Sequence, residues 1–338
     1  MAPPRVTMAQ LAAEAGVSVP TVSKVINGRD DVADTTRARV ERVISEHGYR
    51  QRRRSGPAPG PRLIDLVFNE LGNPWAVEVI RGVERTARPA GVEVVLSECL
   101  GAHRPRQEWL ASVLARRPAG VIMVFSDLED GQRTQLVARG IPHVIVDPIG
   151  EVDPGVASVG SANYHGGLLA TRHLLGLGHR DVAVITGPLD TFCSRARLGG
   201  YRDALLEAGL PYREELVRTG DFSVEGGLRI ACELLAGPDR PTAVFACNDL
   251  MAFGVLRAAR DLGVAVPGEL SVVGYDDLPA AEWVGPELTT VHQPLHEMAE
   301  AATRLLLALA DGAEPAAPRM DLAVDLRVRA STAPPPPR

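Results

Sequence analysis

Over the first fifty residues, apolar positions recur at the i, i+3, i+4 spacing of short amphipathic helices. Thr7-Met8-Ala9-Gln10 has the form of a capping box, in which the hydroxyl and the amide each satisfy a free N–H at a helix start. A helix is therefore predicted to run on through Ala15. Gly16 breaks the pattern, Ser18 can cap a second helix that tolerates Pro20 in its first turn, and Asn27-Gly28 supplies a stop. In that second helix Val22, Val25 and Ile26 face inward, leaving Val19, Pro20, Thr21, Ser23 and Lys24 on the outer side. A third helix is predicted from about Asp34 to His47, burying Val40, Val43 and Ile44 and ended by Gly48.

From Leu63 the period changes. Short β-branched runs at Leu63–Phe68, Val92–Leu96, Gly120–Val124 and His143–Val146 alternate with amphipathic helical stretches. The pattern restarts at Asp181–Ile185 and continues through Val217, Thr242–Phe245 and Ser271–Gly274. Such alternation implies parallel sheets covered by helices on both faces. A weak repeat supports two lobes: the helix after the first strand carries Gly82 and Gly91, and the helix after the restart carries Gly200 and Gly209 at the same spacing. Ligands of doubly wound sheets bind beyond the carboxyl ends of the strands, and two facing lobes make a cleft that closes by hinge motion.

Composition and charge sharpen this division. The chain has 338 residues and a net charge of −6, but Met1–Arg62 carries eleven Lys and Arg against six Asp and Glu, a net of +5, and the remainder a net of −11. A basic head on an acidic body predicts an anionic partner for the head alone. Three short helices bury little surface. Major-groove binding gives the unit a reason to exist, with small outward side chains approaching base edges while Lys24 and the arginines neutralise phosphates. The alternative for this helix pattern is a small protein-docking bundle. Between head and body, Arg50-Gln51-Arg52-Arg53-Arg54 and then Ser55–Pro61 read as a linker too rich in Pro and Gly for a stable helix. No apolar run approaches the ~20 residues of a membrane span, and Met1–Arg5 leads into polar sequence without a secretory core. The expected compartment is the cytoplasm. Cys99, Cys193, Cys232 and Cys247 are too scattered for a zinc site or redox pair, and are expected as reduced, mostly buried thiols.

Catalysis finds little support. The chain has no Gly-x-Ser-x-Gly elbow, Walker loop or His-Glu-x-x-His helix. His292 and His296 are four apart, but Pro294 between them argues against a metal pair on one helix face. Adjacent Asp276-Asp277 is better explained by turn geometry than by acid/base work. A dinucleotide-dependent enzyme suits the sheets but lacks Gly-x-Gly-x-x-Gly after any strand, and a sugar-binding module without DNA binding leaves residues 5–49 unexplained. Neither a cofactor nor a metal is expected.

Candidate cleft residues follow from chemistry: a polyhydroxyl ligand needs paired donors and acceptors with an apolar platform. Strand ends offer Asn73 and Trp75, Asp147, Phe222, Asn248 with Asp249, and Asp276.

Val6–Ala12, Ala15-Gly16-Val17-Ser18, Thr21-Val22-Ser23, Val25-Ile26-Asn27 and Gly48-Tyr49 strongly resemble the helix-turn-helix of the LacI/GalR family of bacterial repressors. The resemblance implies that the second helix is the recognition helix. Val19 and Pro20 then carry operator choice, Lys24 stands where many members have Arg, and Thr7, Ser18, Thr21, Ser23 and Asn27 position the head on phosphates. It also implies a periplasmic sugar-binding-protein fold for Leu63 to about Arg329. Arg197, in Arg197-Leu198-Gly199-Gly200-Tyr201, matches the family's effector-binding arginine, Phe222 its stacking aromatic and Asp276 its ligand-binding aspartate; Ser126, Ser194 and Gln293 are secondary candidates without such a match. The family's topology puts 62–161 with 291–319 in one lobe and 162–290 with 320–330 in the other, after a 1–49 head and a 50–61 hinge. A last strand is expected near Leu322–Leu326 and a disordered tail at 331–338.

The hinge departs from the family, whose hinge helix drives a Leu wedge into the minor groove. No Leu occurs between Leu11 and Leu63. The expected substitute is electrostatic, with Arg50, Arg52, Arg53 and Arg54 entering or flanking the minor groove. The tail lacks heptads, so a dimer is expected on a near-palindromic operator. The expected effector is a sugar that releases a repressor of carbohydrate-utilisation genes; the alternative is a purine-type repressor that needs a corepressor.

Overall fold

A computed structural model describes residues 6–26, 31–47, 49, 62–153, 155–237, 239–313 and 317–337. The expectations placed on Asn27, Gly48, Arg50, Arg52, Arg53 and Arg54 lie outside them. The head is three helices, α1 (Met8–Glu14), α2 (Val19–Ile26) and α3 (Asp34–Glu46). The capping box forms as the sequence predicts: Thr7 Oγ1 accepts from the Gln10 amide at 3.3 Å, and Gln10 Oε1 accepts from the Thr7 amide at 2.8 Å. Ser18 Oγ accepts from the Thr21 amide at 3.2 Å, opening α2. Leu11, Val22, Val25, Ile26, Val40, Val43 and Ile44 are fully buried against one another, as their spacing requires.

The chain then builds two compact units. The first contains the head, residues up to Pro148, Val152–Val159 and Ala299–Arg319. Its sheet takes β1 (Arg62–Phe68), β2 (Val92–Glu98), β3 (Gly120–Val124), β4 (His143–Val146), β5 (Ala157–Ser161) and, at one edge, β11 (Arg319–Leu322), in the order β11-β5-β4-β3-β1-β2. β1 pairs parallel with β2 and β3, and β4 parallel with β3 and β5. The helices of this unit are α4 (Pro74–Ala87), α5 (Gln107–Arg116), α6 (Asp130–Ala138) and most of α11 (Leu295–Ala310). Val67, Leu110, Val113, Val121, Met123 and Leu136 form its core. Asp65 is fully buried inside β1; burial raises its carboxyl, and the Arg116 guanidinium at 2.6 Å opposes that shift.

The second unit holds Ile149–Glu151, Gly160–Met298 and Met320–Arg338. Its sheet takes β6 (Val182–Thr186), β7 (Val217–Thr219), β8 (Ala243–Ala246), β9 (Ser271–Asp276), β10 (Thr289–His292) and β12 (Asp325–Arg327), in the order β12-β10-β9-β8-β6-β7. β9 pairs parallel with β8 and β10, and β6 parallel with β7 and β8, whereas β10 pairs antiparallel with β12. Its helices are α7 (Asn163–Gly176), α8 (Phe192–Glu207), α9 (Val224–Leu235) and α10 (Asp249–Asp261). The single last strand expected near Leu322–Leu326 is therefore two strands, one in each sheet. The expected disorder of the tail also needs correction at its start. Ser331 Oγ donates to Val272 O at 2.6 Å and accepts from the Thr289 amide at 2.8 Å, while His179 Nε2 donates to Ala333 O at 2.9 Å.

Candidate DNA interface and effector site

On the head, Val19, Pro20 and Lys24 are exposed along α2 as predicted, while Thr21 and Ser23, also predicted to face outward, are half-buried. Small side chains on a helix let its backbone approach base edges closely. Lys24 Nζ is 2.6 Å from Asp31 Oδ2, an exposed pair that a phosphate can displace. Thr7, Ser18 and Thr21 have structural work as well: the first two cap helices, and the Ser18 and Thr21 hydroxyls sit 2.8 Å apart.

In the first unit the predicted residues lie at the carboxyl ends of strands. Asn73 follows β1 and its Oδ1 caps α4 at the Trp75 amide, 2.9 Å away, leaving the indole half-buried in the first turn. Ser126 and Asp147 follow β3 and β4 and are both buried. Ser126 Oγ donates to Val124 O at 2.9 Å, which makes this serine a strand-end brace. Asp147 stands at φ +51°, a left-handed position uncommon for a residue with a side chain.

In the second unit Arg197 is the centre. α7 and α8 pack backbone to backbone because Gly167 and Gly200 lack side chains: a Cβ at either position would lie 2.1 Å from a carbonyl oxygen of the facing helix. That approach holds Arg197, only 3 % exposed, over the sheet. Its Nε donates to Asn163 Oδ1 at 2.8 Å, one terminal nitrogen to Cys247 O at 2.6 Å and the other to Gln293 Oε1 at 3.4 Å. Its guanidinium stacks 3.5 Å above the Tyr275 ring, and Asp276 Oδ1 lies 3.9 Å away. Asp276 is itself at φ +113° and 5 % exposed, a strained end to β9.

The adjacent carboxylates diverge, as turn geometry suggested. Asp277 accepts from Arg329 at 2.7 Å and faces His292 Nδ1 at 3.0 Å, and these partners hold its carboxyl below its usual range although burial opposes them. Asp249 points into the lobe. Burial raises its carboxyl to about 7, and it accepts from Thr290 Oγ1 at 2.6 Å and from the Leu278 amide at 2.8 Å.

Phe222 is half-buried at φ +65°, and Asn248 Nδ2 donates to its carbonyl at 3.0 Å while Asn248 Oδ1 caps α10 at the Met251 amide. The tip of the Phe222 ring occupies the space beside Gly187, where a Cβ would come within 2.0 Å of Cζ. Ser194 is fully buried and accepts from Thr191 Oγ1 at 2.8 Å. Sequence reasoning missed Asn163 and Tyr275, whose only signal is that each immediately precedes or follows a strand-to-helix or strand-to-turn junction. Among the described residues no cluster of His, Cys, Asp and Glu could hold a metal ion. Cys99, Cys193 and Cys247 are buried thiols outside any disulfide, and burial pushes Cys247 up to about 12.

Comparison with known proteins places both halves. Residues 7–51 match the model of bacterial regulatory proteins, lacI family, and residues 171–332 that of the periplasmic binding protein-like domain. The regulator CelR of Thermobifida fusca is 37% identical over 336 residues, covering 97% of this chain and 98% of CelR. This chain belongs to the lacI family. Other relatives of this lacI-family member are the ribose operon repressor of Escherichia coli K12 and the HTH-type transcriptional repressor PurR of Erwinia tasmaniensis. Both are 36% identical over 89% of the chain, covering 92% and 89% of the relative. Among solved structures, the CelR–cellobiose complex superposes with a TM-score of 0.73 at 36% identity, covering 97% of this chain and 100% of that one. The lac repressor dimer bound to operator gives 0.70 at 27% identity, covering 98% and 100%. The lacI-family chain is thus a DNA-binding transcription regulator, with a helix-turn-helix head and two parallel-sheet lobes, and not an enzyme. No helix among the described residues is long and apolar enough to cross a membrane.

Proposed function

We propose that the protein is a cytoplasmic repressor that grips a near-palindromic operator as a homodimer and lets go when a small sugar binds its effector lobes. The observation that carries the sugar reading is the Arg197 cluster. A guanidinium fixed by three hydrogen bonds, a strained aspartate 3.9 Å from it and a half-buried aromatic supply the donors, acceptor and platform that a polyhydroxyl ring requires. CelR and the ribose repressor lend support, the first by its cellobiose complex and the second by its name. Val19 and Pro20, with Lys24, read or flank bases, Thr7, Ser18, Thr21 and Ser23 position the head on phosphates, and Arg50, Arg52, Arg53 and Arg54 enter or flank the adjoining minor groove. For the dimer, Trp283 is 78 % exposed, and beside it in sequence Val284 joins Phe253, Leu256, Arg257 and Arg260 in lining a hollow suited to a second copy.

The 36% identity to PurR keeps a purine corepressor as the second reading. A thermal-shift screen of cellobiose, ribose, hypoxanthine and guanine separates the two. A ligand at 100 times its Kd adds about 2.7 kcal/mol to native stability. The sugar reading expects a shift by a mono- or disaccharide that also weakens operator binding; a shift by a purine that strengthens it overturns that reading.

A further inference from the structure

One contact in the first unit belongs to neither the DNA face nor the effector cluster: the head sits on α6. Arg139, which closes α6, donates from Nε to Ile26 O at 2.7 Å, one of the last-turn carbonyls of α2 that has no partner within its own helix. One turn earlier, Gln135 Nε2 donates to Glu41 Oε1 of α3 at 3.3 Å. Between them Ala138 is completely buried and joins the head's own apolar cluster with Leu11, Val22, Ile26 and Val40. Glu41 also lies over the start of α6, its Oε2 3.6 Å from where a Cβ at Gly131 would stand. Contacts to two head helices, two polar and one apolar, fix a small rigid body in orientation as well as position.

We propose that α6 is a docking surface for this chain's own DNA-reading head and that it aims the head before DNA arrives. The seat uses the carboxyl end of α2 and one face of α3, so Val19, Pro20 and Lys24 stay exposed and the contact does not cover the reading face. Ordering the head in advance removes part of the entropic cost that the DNA complex otherwise bears. It also gives the lobe a grip on the recognition helix that does not pass through residues 50–61, a stretch with no Leu to wedge into a groove.

Two full-length variants test this, Arg139→Ala and Ala138→Glu, with Arg139→Lys as the donor-preserving control and thermal unfolding to check that the lobes remain folded. Hydrogen exchange without DNA should quicken tenfold or more across Leu11–Ile44 and stay unchanged in β3 and β4. Affinity for a duplex enriched from a random pool by the wild type should fall five- to tenfold, and Arg139→Lys should recover most of both. Unchanged exchange in both variants overturns the seat. Faster exchange with unchanged duplex affinity overturns its role in aiming the head.

Discussion

Arg197 meets five groups at once, and its replacement therefore needs care. Arg197→Ala would take the nearby cation from the buried Asp276 carboxylate and the Arg197 donor from the buried Cys247 carbonyl, a loss of several kcal/mol of stability. Arg197→Lys keeps the charge but not the planar fork. It should weaken effector binding about 10- to 100-fold in calorimetry and leave operator affinity without effector unchanged, since a hydrogen bond to a charged group is worth ~1.5–3 kcal/mol. Gly187→Ala acts through Phe222. The added methyl claims the space of the ring tip, so the aromatic must move, and effector affinity should drop about tenfold. In a Phe222→Leu background the same change should cost almost nothing; equal losses in both backgrounds would separate Gly187 from the ring. Arg197 and Asp276 are legible in the sequence because their neighbours spell a recognisable motif. Asn163 and Tyr275 are not, because a guanidinium can find an amide or a ring on any element that folding brings beside it, and no spacing announces which.

At the scale of elements, the three head helices follow from local chemistry. Thr7→Ala removes one half of a reciprocal cap and should lower head stability by ~1 kcal/mol in chemical unfolding. The β-branched strands were equally plain, and β5 was not: Ala157-Ser158-Val159-Gly160-Ser161 is buried throughout yet carries a single β-branched residue, so only its place between β4 and β11 makes it a strand. β4 opens with His143, whose Nε2 is buried without a hydrogen-bond partner; burial first, then Arg133, lowers its imidazole to about 4. The unfolded chain binds that proton near 6.5, so stability is intact above about pH 6.5 and is lost as pH falls toward 4, by as much as ~3 kcal/mol. His143→Gln should remove this acid-side loss from a series of denaturant titrations between pH 7 and 4.

For the molecule as a whole, charge and topology lead in different directions. A head of +5 on a body of −11 makes DNA affinity fall steeply with salt. Changing Arg50, Arg52, Arg53 and Arg54 together to Gln should flatten the slope of log affinity against log salt by about 3 to 4 if all four meet phosphates. An unchanged slope would free that run from the DNA. The two-lobe architecture was readable from the restart of the strand pattern, whereas the return of the chain to the first lobe was read by family likeness alone and the split of the last strand into β11 and β12, one in each sheet, was not read, because pairing partners far apart in sequence leave no local trace. That exchange bears on biosynthesis. The first sheet is begun by Arg62 and finished only at Leu322, with α11 arriving from Leu295. A ribosome must therefore release nearly the entire polypeptide before the opening half can close, and a nascent product halted near Pro286 would display bare β5 and an uncovered apolar face to chaperones and proteases.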